Sequence, residues 1–265
     1  MSYFEAIALG LLQAITEFLP VSSSGHLVLA QSWFGGDEVD VLFDVLLHTA
    51  TMLAVLVYFR REIVALVAGL FGQVSELPPF AGCERKAVWM IVAANIPTAL
   101  IGLFIERFLQ GAASSPAPVG VMLMTTGAVL WTGRGRDPRR TIADMTVADA
   151  LIIGVVQGVA VLPGLSRAGL TIVAALVLGL ERSLAAKYSL LISIPAIAGA
   201  TLLQALDSDV GATAVGPYLS GMLIAGVVGY AAIYLILLLV KRHQFYRFAF
   251  YVWPLGALAL LTSLL

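Results

Sequence analysis

Six stretches of the chain, roughly 41–59, 87–105, 118–133, 184–206, 217–240 and 248–265, are runs of mostly apolar residues. Each approaches the about 20 residues that a helix needs to cross a bilayer. The third is short, and Pro116 and Pro118 mark its start. Two other regions, 3–35 and 147–181, each hold an apolar run, a Pro/Gly/Ser-rich break and a second apolar run. Neither half of either region is long and uninterrupted enough to cross alone. The pattern predicts an all-α polytopic membrane protein.

The two broken regions resemble one another. LGLLQAITEFLPVSSSGHLVLA at 9–30 lies against IGVVQGVAVLPGLSRAGLTIVAA at 153–175, with Gly10 on Gly154, Gln13 on Gln157 and, after one gap, Pro20 on Pro163. Each copy precedes three predicted spans, so an odd number of crossings separates them and the copies are expected in inverted topology. The division is repeat 1 at about 1–133, a cytoplasmic linker at 134–146 and repeat 2 at about 147–265, within a single membrane domain over 1–265.

Charge orients this pattern. Arg60, Arg61, Arg85 and Lys86 bracket the loop 60–86; Arg134, Arg136, Arg139 and Arg140 crowd 134–146; Lys241, Arg242 and Arg247 fill 241–247. The opposite loops, 106–117 and 207–216, carry one arginine, Arg107, against Glu106, Asp207 and Asp209. By the positive-inside rule the basic loops are cytoplasmic. Both broken regions then enter and leave the same face, 1–36 from outside and 147–181 from inside, as re-entrant helical hairpins. Inverted repeats with broken helices bring their breaks together near the midplane, where sites lie.

Composition agrees: 60% of residues are hydrophobic, 12% are charged and mean hydropathy is +0.97, against about 25% charged in soluble domains. A net charge of −1 gives no electrostatic case for nucleic acid. The single cysteine, Cys83, excludes an intramolecular disulfide, and no Cys/His cluster has zinc spacing. The start, MSYFEAIALG, lacks a basic n-region, so no cleavable signal peptide is expected.

The breaks hold the candidate chemistry. A carboxylate and a guanidinium at membrane depth each cost about 2.5–3.5 kcal/mol, and Glu17 and Arg167 sit in matching halves of the repeat. In PGLSRAGLT (163–171), Gly164 and Gly169 allow a tight turn whose amides make an anion nest. Ser166 adds a hydroxyl, Arg167 a planar fork for phosphate oxygens, and the following helix a positive dipole end. In TEFLPVSSSGHL (16–27), His26 titrates near neutrality and a neighbouring serine among Ser22, Ser23 and Ser24 is a candidate nucleophile, the others adding phosphate donors. Glu17 could hold Mg²⁺ or Ca²⁺, or orient the histidine. Together the two tips read as phosphoryl hydrolysis. His48 and Asn95, within predicted spans, read as satisfied buried polar groups, and Tyr230 and Tyr234 as packing. Gly221, Gly226 and Gly229 allow close helix approach, a packing that serves one chain or a homodimer alike.

TEFLPVSSSGHL and PGLSRAGLT resemble the two signature motifs of the undecaprenyl-diphosphate phosphatase family, the bacitracin-resistance type, and the likeness extends to FDVLLHTATMLAV (43–55) and IPTALIG (96–102). The resemblance implies two inverted repeats, each a re-entrant hairpin plus three spans, in the plasma membrane with the site open to the outer face. It implies a C55 isoprenoid diphosphate as substrate, hydrolysed to the monophosphate carrier of wall building, with a divalent cation required. It places the essential glutamate on Glu17, the histidine on His26, the favoured nucleophile on Ser23, and the phosphate-binding serine, arginine and threonine on Ser166, Arg167 and Thr171. Serine, histidine and water all remain open as nucleophile. Two positions depart from the motifs. Gln13 stands where many members have a second glutamate, so it could offer a cation a carbonyl but no charge, and Ala168 replaces a serine. A lipid-phosphate transporter and an inactive lipid-diphosphate-binding paralogue are the alternative readings.

Overall fold

The computed structural model describes residues 1–34, 41–108, 115–207 and 215–263. The first broken region is a helical hairpin, α1 (Tyr3–Phe18) and α2 (Ser23–Phe34). After it come α3 (Val41–Tyr58), α4 (Arg60–Leu70), α5 (Glu84–Phe108) and α6 (Pro116–Thr132). The second broken region is the hairpin α7 (Val147–Val159) and α8 (Arg167–Val177), followed by α9 (Arg182–Asp207), α10 (Val215–Lys241), a 3-10 turn (Phe245–Phe248) and α11 (Ala249–Thr262). All six predicted spans are helical. The basic loop 60–86 contains a helix the apolar pattern did not announce: α4 turns 73° from α3 directly after it.

Local chemistry explains both hairpins. Each first helix opens with a reciprocal capping box, Ser2 with Glu5 in α1 and Thr146 with Asp149 in α7, which satisfies two otherwise orphaned amides at each start. Helix α1 stops at Leu19, ahead of Pro20, because proline disfavours helical geometry in the residue before it. Helix α7 stops before Pro163 and Gly164, and Gly164 takes φ +95°, which a side chain would resist.

Among the described residues four segments, Glu84–Ile105, Arg182–Leu203, Val215–Lys241 and Phe245–Thr262, are long and apolar enough to cross a bilayer. The bent pair α3–α4 qualifies when counted together, and α6, α7 and α8 are shorter apolar helices. Large apolar side chains such as Leu100, Leu223 and Val227 face outward, as expected where lipid is the solvent. The chain is a polytopic, all-helical membrane protein.

The two halves exchange partners. Helix α1 packs on α10 and α7 packs on α5; α3 meets both α9 and α10, while α5 meets α9; α6 packs along α11. One hydrophobic cluster draws from both halves, from Phe18, Phe59 and Leu123 to Ile172, Tyr188 and Phe245. The closest approaches of one backbone to another fall on the repeated glycines. A Cβ on Gly10 would lie 2.4 Å from the Gly221 carbonyl oxygen, and one on Gly154 would lie 2.0 Å from that of Ala94. Gly221 also abuts Phe43, and Gly229 abuts Phe18, so this glycine-rich face packs within the chain. Tyr230 packs its ring on Tyr58, with centroids 5.0 Å apart. Because backbone sits at the contact, Gly154→Ala is expected to destabilise the protein by about 1–3 kcal/mol, read as a lower unfolding midpoint in detergent.

The basic loops meet at one end. Lys86 donates to the Ala143 carbonyl (2.5 Å), Lys187 joins Glu62 (2.8 Å), and Arg134 lies over the Trp131 and Tyr246 rings. Most of the acidic loops 106–117 and 207–216 lies outside the described residues.

Candidate active site

The tip of the first hairpin is held in a strained turn. Ser22 has φ +69°, a conformation that costs a non-glycine residue roughly 1–3 kcal/mol and persists only where surroundings enforce it. Its Oγ accepts from the amides of Gly25 (3.3 Å) and Gly164 (3.1 Å), so it staples the first tip to the second. Across this joint Gly25 and Gly164 nearly touch; a Cβ on Gly25 would lie 2.9 Å from the Gly164 Cα. Thr126 of α6 completes the joint, donating to the Gly164 carbonyl (2.8 Å) and accepting from the Ser166 amide (3.1 Å). Ser166 caps α8 by accepting from the Gly169 amide (3.2 Å).

The joint brings Glu17 and Arg167 into an ion pair across 150 residues of sequence. Glu17 Oε1 takes the guanidinium. Oε2 accepts from Ser23 Oγ (2.7 Å) and from Gln13 Nε2 (3.2 Å), with His48 Nε2 at 3.7 Å. Arg167 Nη1 is buried without a partner. A donor in that state, on an arginine whose only ion-pair partner among the described residues is one carboxylate, is open to an incoming oxyanion.

These groups line a cavity of about 240 Å³. Of the residues singled out in the sequence, Glu17, Ser22, Ser23, Ser24, Ser166 and Arg167 face it; Gln13, His26, Gly164 and Thr171 do not. Gln13 is fully buried and gives Glu17 its amide nitrogen; its own Oε1 has no partner. Thr171 is fully buried, paired with Ser189 and the Arg167 carbonyl. The Gly164 amide is spent on Ser22, which leaves less of an anion nest than the motif suggested.

His26 is placed differently from the expectation that it serves the cavity. Nδ1 lies 2.7 Å from the Ser22 carbonyl and Nε2 2.8 Å from the Tyr251 hydroxyl. A carbonyl only accepts, so Nδ1 carries the proton and Nε2 accepts from Tyr251. Both nitrogens are occupied, and the imidazole buttresses the strained Ser22. The imidazole on the cavity wall is His48 of α3, whose Nδ1 meets the Asp44 carbonyl (3.0 Å) and, at 3.6 Å, its carboxylate. The i,i+4 pair Asp44 and His48 in an apolar run was the available signal. Thr98, Gln157 and Thr201 also reach the cavity; Gln157 is the repeat partner of Gln13, yet only Gln157 faces inward.

Among the described residues no three His, Cys, Asp or Glu side chains form a metal cage. The donors on offer are hard oxygens. Asp44 Oδ1 is buried on the cavity wall without a hydrogen-bond partner, Glu17 and Asp44 flank the His48 ring, and Ser22, Ser23 and Ser24 line the same cavity. That set fits Mg²⁺ or Ca²⁺ with water and phosphate filling the remaining positions, and does not fit zinc.

A family model described as "Bacitracin resistance protein BacA" matches residues 6–258. The chain is 41% identical over 273 residues to a protein of Desulforapulum autotrophicum, with 99% of each covered. It is 42% identical over 261 residues to one of Syntrophotalea carbinolica, covering 97% of this chain and 98% of the relative. With one of Carboxydothermus hydrogenoformans it shares 39% over 269 residues, covering 99% and 98%. All three relatives are named "Undecaprenyl-diphosphatase".

Proposed function

The chain belongs to the bacitracin resistance protein BacA family, and from that premise we propose how its cavity hydrolyses undecaprenyl diphosphate to the monophosphate and phosphate. The observation that carries the reading is the Glu17–Arg167 pair with its unpartnered guanidinium nitrogen, set beside Ser23.

The diphosphate head enters the cavity and draws Arg167 from Glu17 onto the terminal phosphate; Ser166 and Ser24 supply hydroxyl donors. Freed of its guanidinium, the Glu17 carboxylate is the base 2.7 Å from Ser23 Oγ and takes its proton as the hydroxyl attacks phosphorus in line. The P–O bond to the bridging oxygen breaks and undecaprenyl monophosphate leaves; water then cleaves the Ser23 phosphoester, Glu17 returns the proton to Oγ, and phosphate departs. His26 acts through Ser22, holding the tip rather than moving the proton. Placement and charge stabilisation supply most of the acceleration in such transfers. A divalent cation held by Glu17 and Asp44, with Gln13 steadying Glu17, would offset the charge of the diphosphate.

The exchange of helix partners between halves, and the capping box and close glycine contact shared by α1 and α7, support two repeats of inverted topology in one membrane domain. His48 lies twelve residues before Arg60 in α3, roughly 18 Å along the axis. With the basic loops cytoplasmic, the cavity opens outward, in a plasma membrane, where the product re-enters the carrier cycle for envelope glycans.

Purified protein in detergent is expected to release phosphate from undecaprenyl diphosphate, to stop with a chelator, and to recover with Mg²⁺ or Ca²⁺. No release with either cation at any concentration would remove the hydrolase reading.

A further inference from the structure

A second, apolar recess of about 270 Å³ opens between α5 and α9, and its wall shares Thr98, Val161, Ala196 and Ala200 with the polar cavity. The two recesses abut along this shared wall, which is also a chemical boundary. On the boundary, Thr98 accepts from Gln157 Nε2 (3.1 Å) and donates into the backbone of α5 and α7, to the Ala94 and Gly154 carbonyls. Beyond it the wall is alanine, leucine, Pro195 and two glycines, with Asn95 its one polar residue. Gly102 leaves ordinary contact distance to Val161 (3.7 Å), and nothing lies within 4 Å of where a Cβ on Gly199 would project.

Resting on the reading just given, we infer that this α5–α9 groove receives the isoprene units that follow the first, and that the chain leaves for the bilayer between these two helices. A lipid diphosphate whose head fills the polar cavity must carry its tail out through an apolar wall. A larger apolar groove, about 720 Å³ between α3 and α10, shares no residue with the cavity. A chain lying there would be cut off from the phosphate seat. The wall shared with the head site, rather than size, selects the α5–α9 groove. The two glycines are then specificity elements: they keep open a slot as wide as a branched prenyl chain, which buries apolar carbon at every unit.

The experiment compares Gly199→Leu, which fills the slot at a position where a Cβ meets nothing within 4 Å, with Gly226→Leu, which fills the α3–α10 groove where a Cβ makes only a 3.7 Å contact. Phosphate release is measured from undecaprenyl diphosphate and from dimethylallyl diphosphate, whose tail is a single prenyl unit. Gly199→Leu is expected to raise KM for the long substrate about tenfold or more and to leave the short one as in wild type. Gly226→Leu is expected to change neither. Equal effects of Gly199→Leu on both substrates, no effect on either, or the chain-length effect appearing in Gly226→Leu instead would each overturn the assignment. A photoreactive polyprenyl phosphate with its diazirine on the second isoprene unit provides a readout that needs no turnover. Label on α5 or α9 without phosphate release would remove the hydrolase reading alone, and label elsewhere would remove the groove.

Discussion

Replacing Arg167 by alanine is expected to lower phosphate release from undecaprenyl diphosphate by roughly 100- to 1,000-fold, the range seen when one preorganised transition-state donor is deleted. The fall should lie mainly in kcat. Arg167 is the one guanidinium at the cavity among the described residues, and one of its nitrogens has no other partner. Arg167→Lys keeps the charge but loses the planar fork, so it should recover only part of the rate. The variant also affects stability. Glu17 would be left as a buried carboxylate without its cation, and breaking such a pair from one side costs about 3–5 kcal/mol. The two effects separate in the double variant Glu17→Gln/Arg167→Ala. Removing the orphaned charge should return the unfolding midpoint toward wild type while activity stays lost. Arg167→Ala with near wild-type turnover would take the guanidinium out of the chemistry.

The spans were legible because lipid imposes a coarse rule, a long apolar run, and 41–59 through 248–265 each obey it. The hairpins were legible because Pro20, Pro163 and Gly164 break helices by covalent geometry, whatever surrounds them. Helix α4 was not, since its start is two arginines and its apolar face, Val64, Val67 and Leu70, is exposed; nothing in a hydropathy run separates it from a loop. Within the site, Glu17, Ser23 and Arg167 could be named because charge and hydroxyls are conspicuous in a greasy chain. Their distances could not. That Ser22 would be a staple, and that the Gly164 amide would be spent on it, depends on a contact between residues 142 apart.

The two histidines show the same limit in sharper form. The sequence places His26 next to the serines, three residues from Ser23, and chemistry favours it as the proton carrier. In the structure, however, the ring is held by the Ser22 carbonyl and by Tyr251 of α11 instead. His48, distant in sequence, arrives at Glu17 because α3 packs against α1. Its ring is fixed from behind by Asp44 in the manner of a positioned imidazole, so it is the ring able to steady Glu17 once Arg167 has moved to phosphate.

The largest effect of all is expected from Ser23. If its hydroxyl is the nucleophile, Ser23→Ala should reduce turnover by roughly 1,000-fold or more, and Glu17→Gln should do nearly the same. The double variant should then lose little beyond either single, because residues that act as one unit are grossly non-additive. If water attacks instead, Ser23 is only a hydrogen bond to a carboxylate, worth about 1.5–3 kcal/mol, and Ser23→Ala should fall by no more than roughly 150-fold. The depth of that single loss therefore separates covalent from direct hydrolysis, since two residues in contact are non-additive in either case. Ser24→Ala is the comparison: it sits on the same wall, 3.4 Å from Ser22 Oγ and without a bond to Glu17, so its loss should stay within roughly 100-fold, the value of one hydrogen bond to a charged phosphate. A fall in Ser24→Ala as deep as that in Ser23→Ala would move the nucleophile one residue along. The base would then lie out of reach, since the bond from Ser23 to Glu17 is the contact that makes a hydroxyl at this tip more reactive than its neighbours.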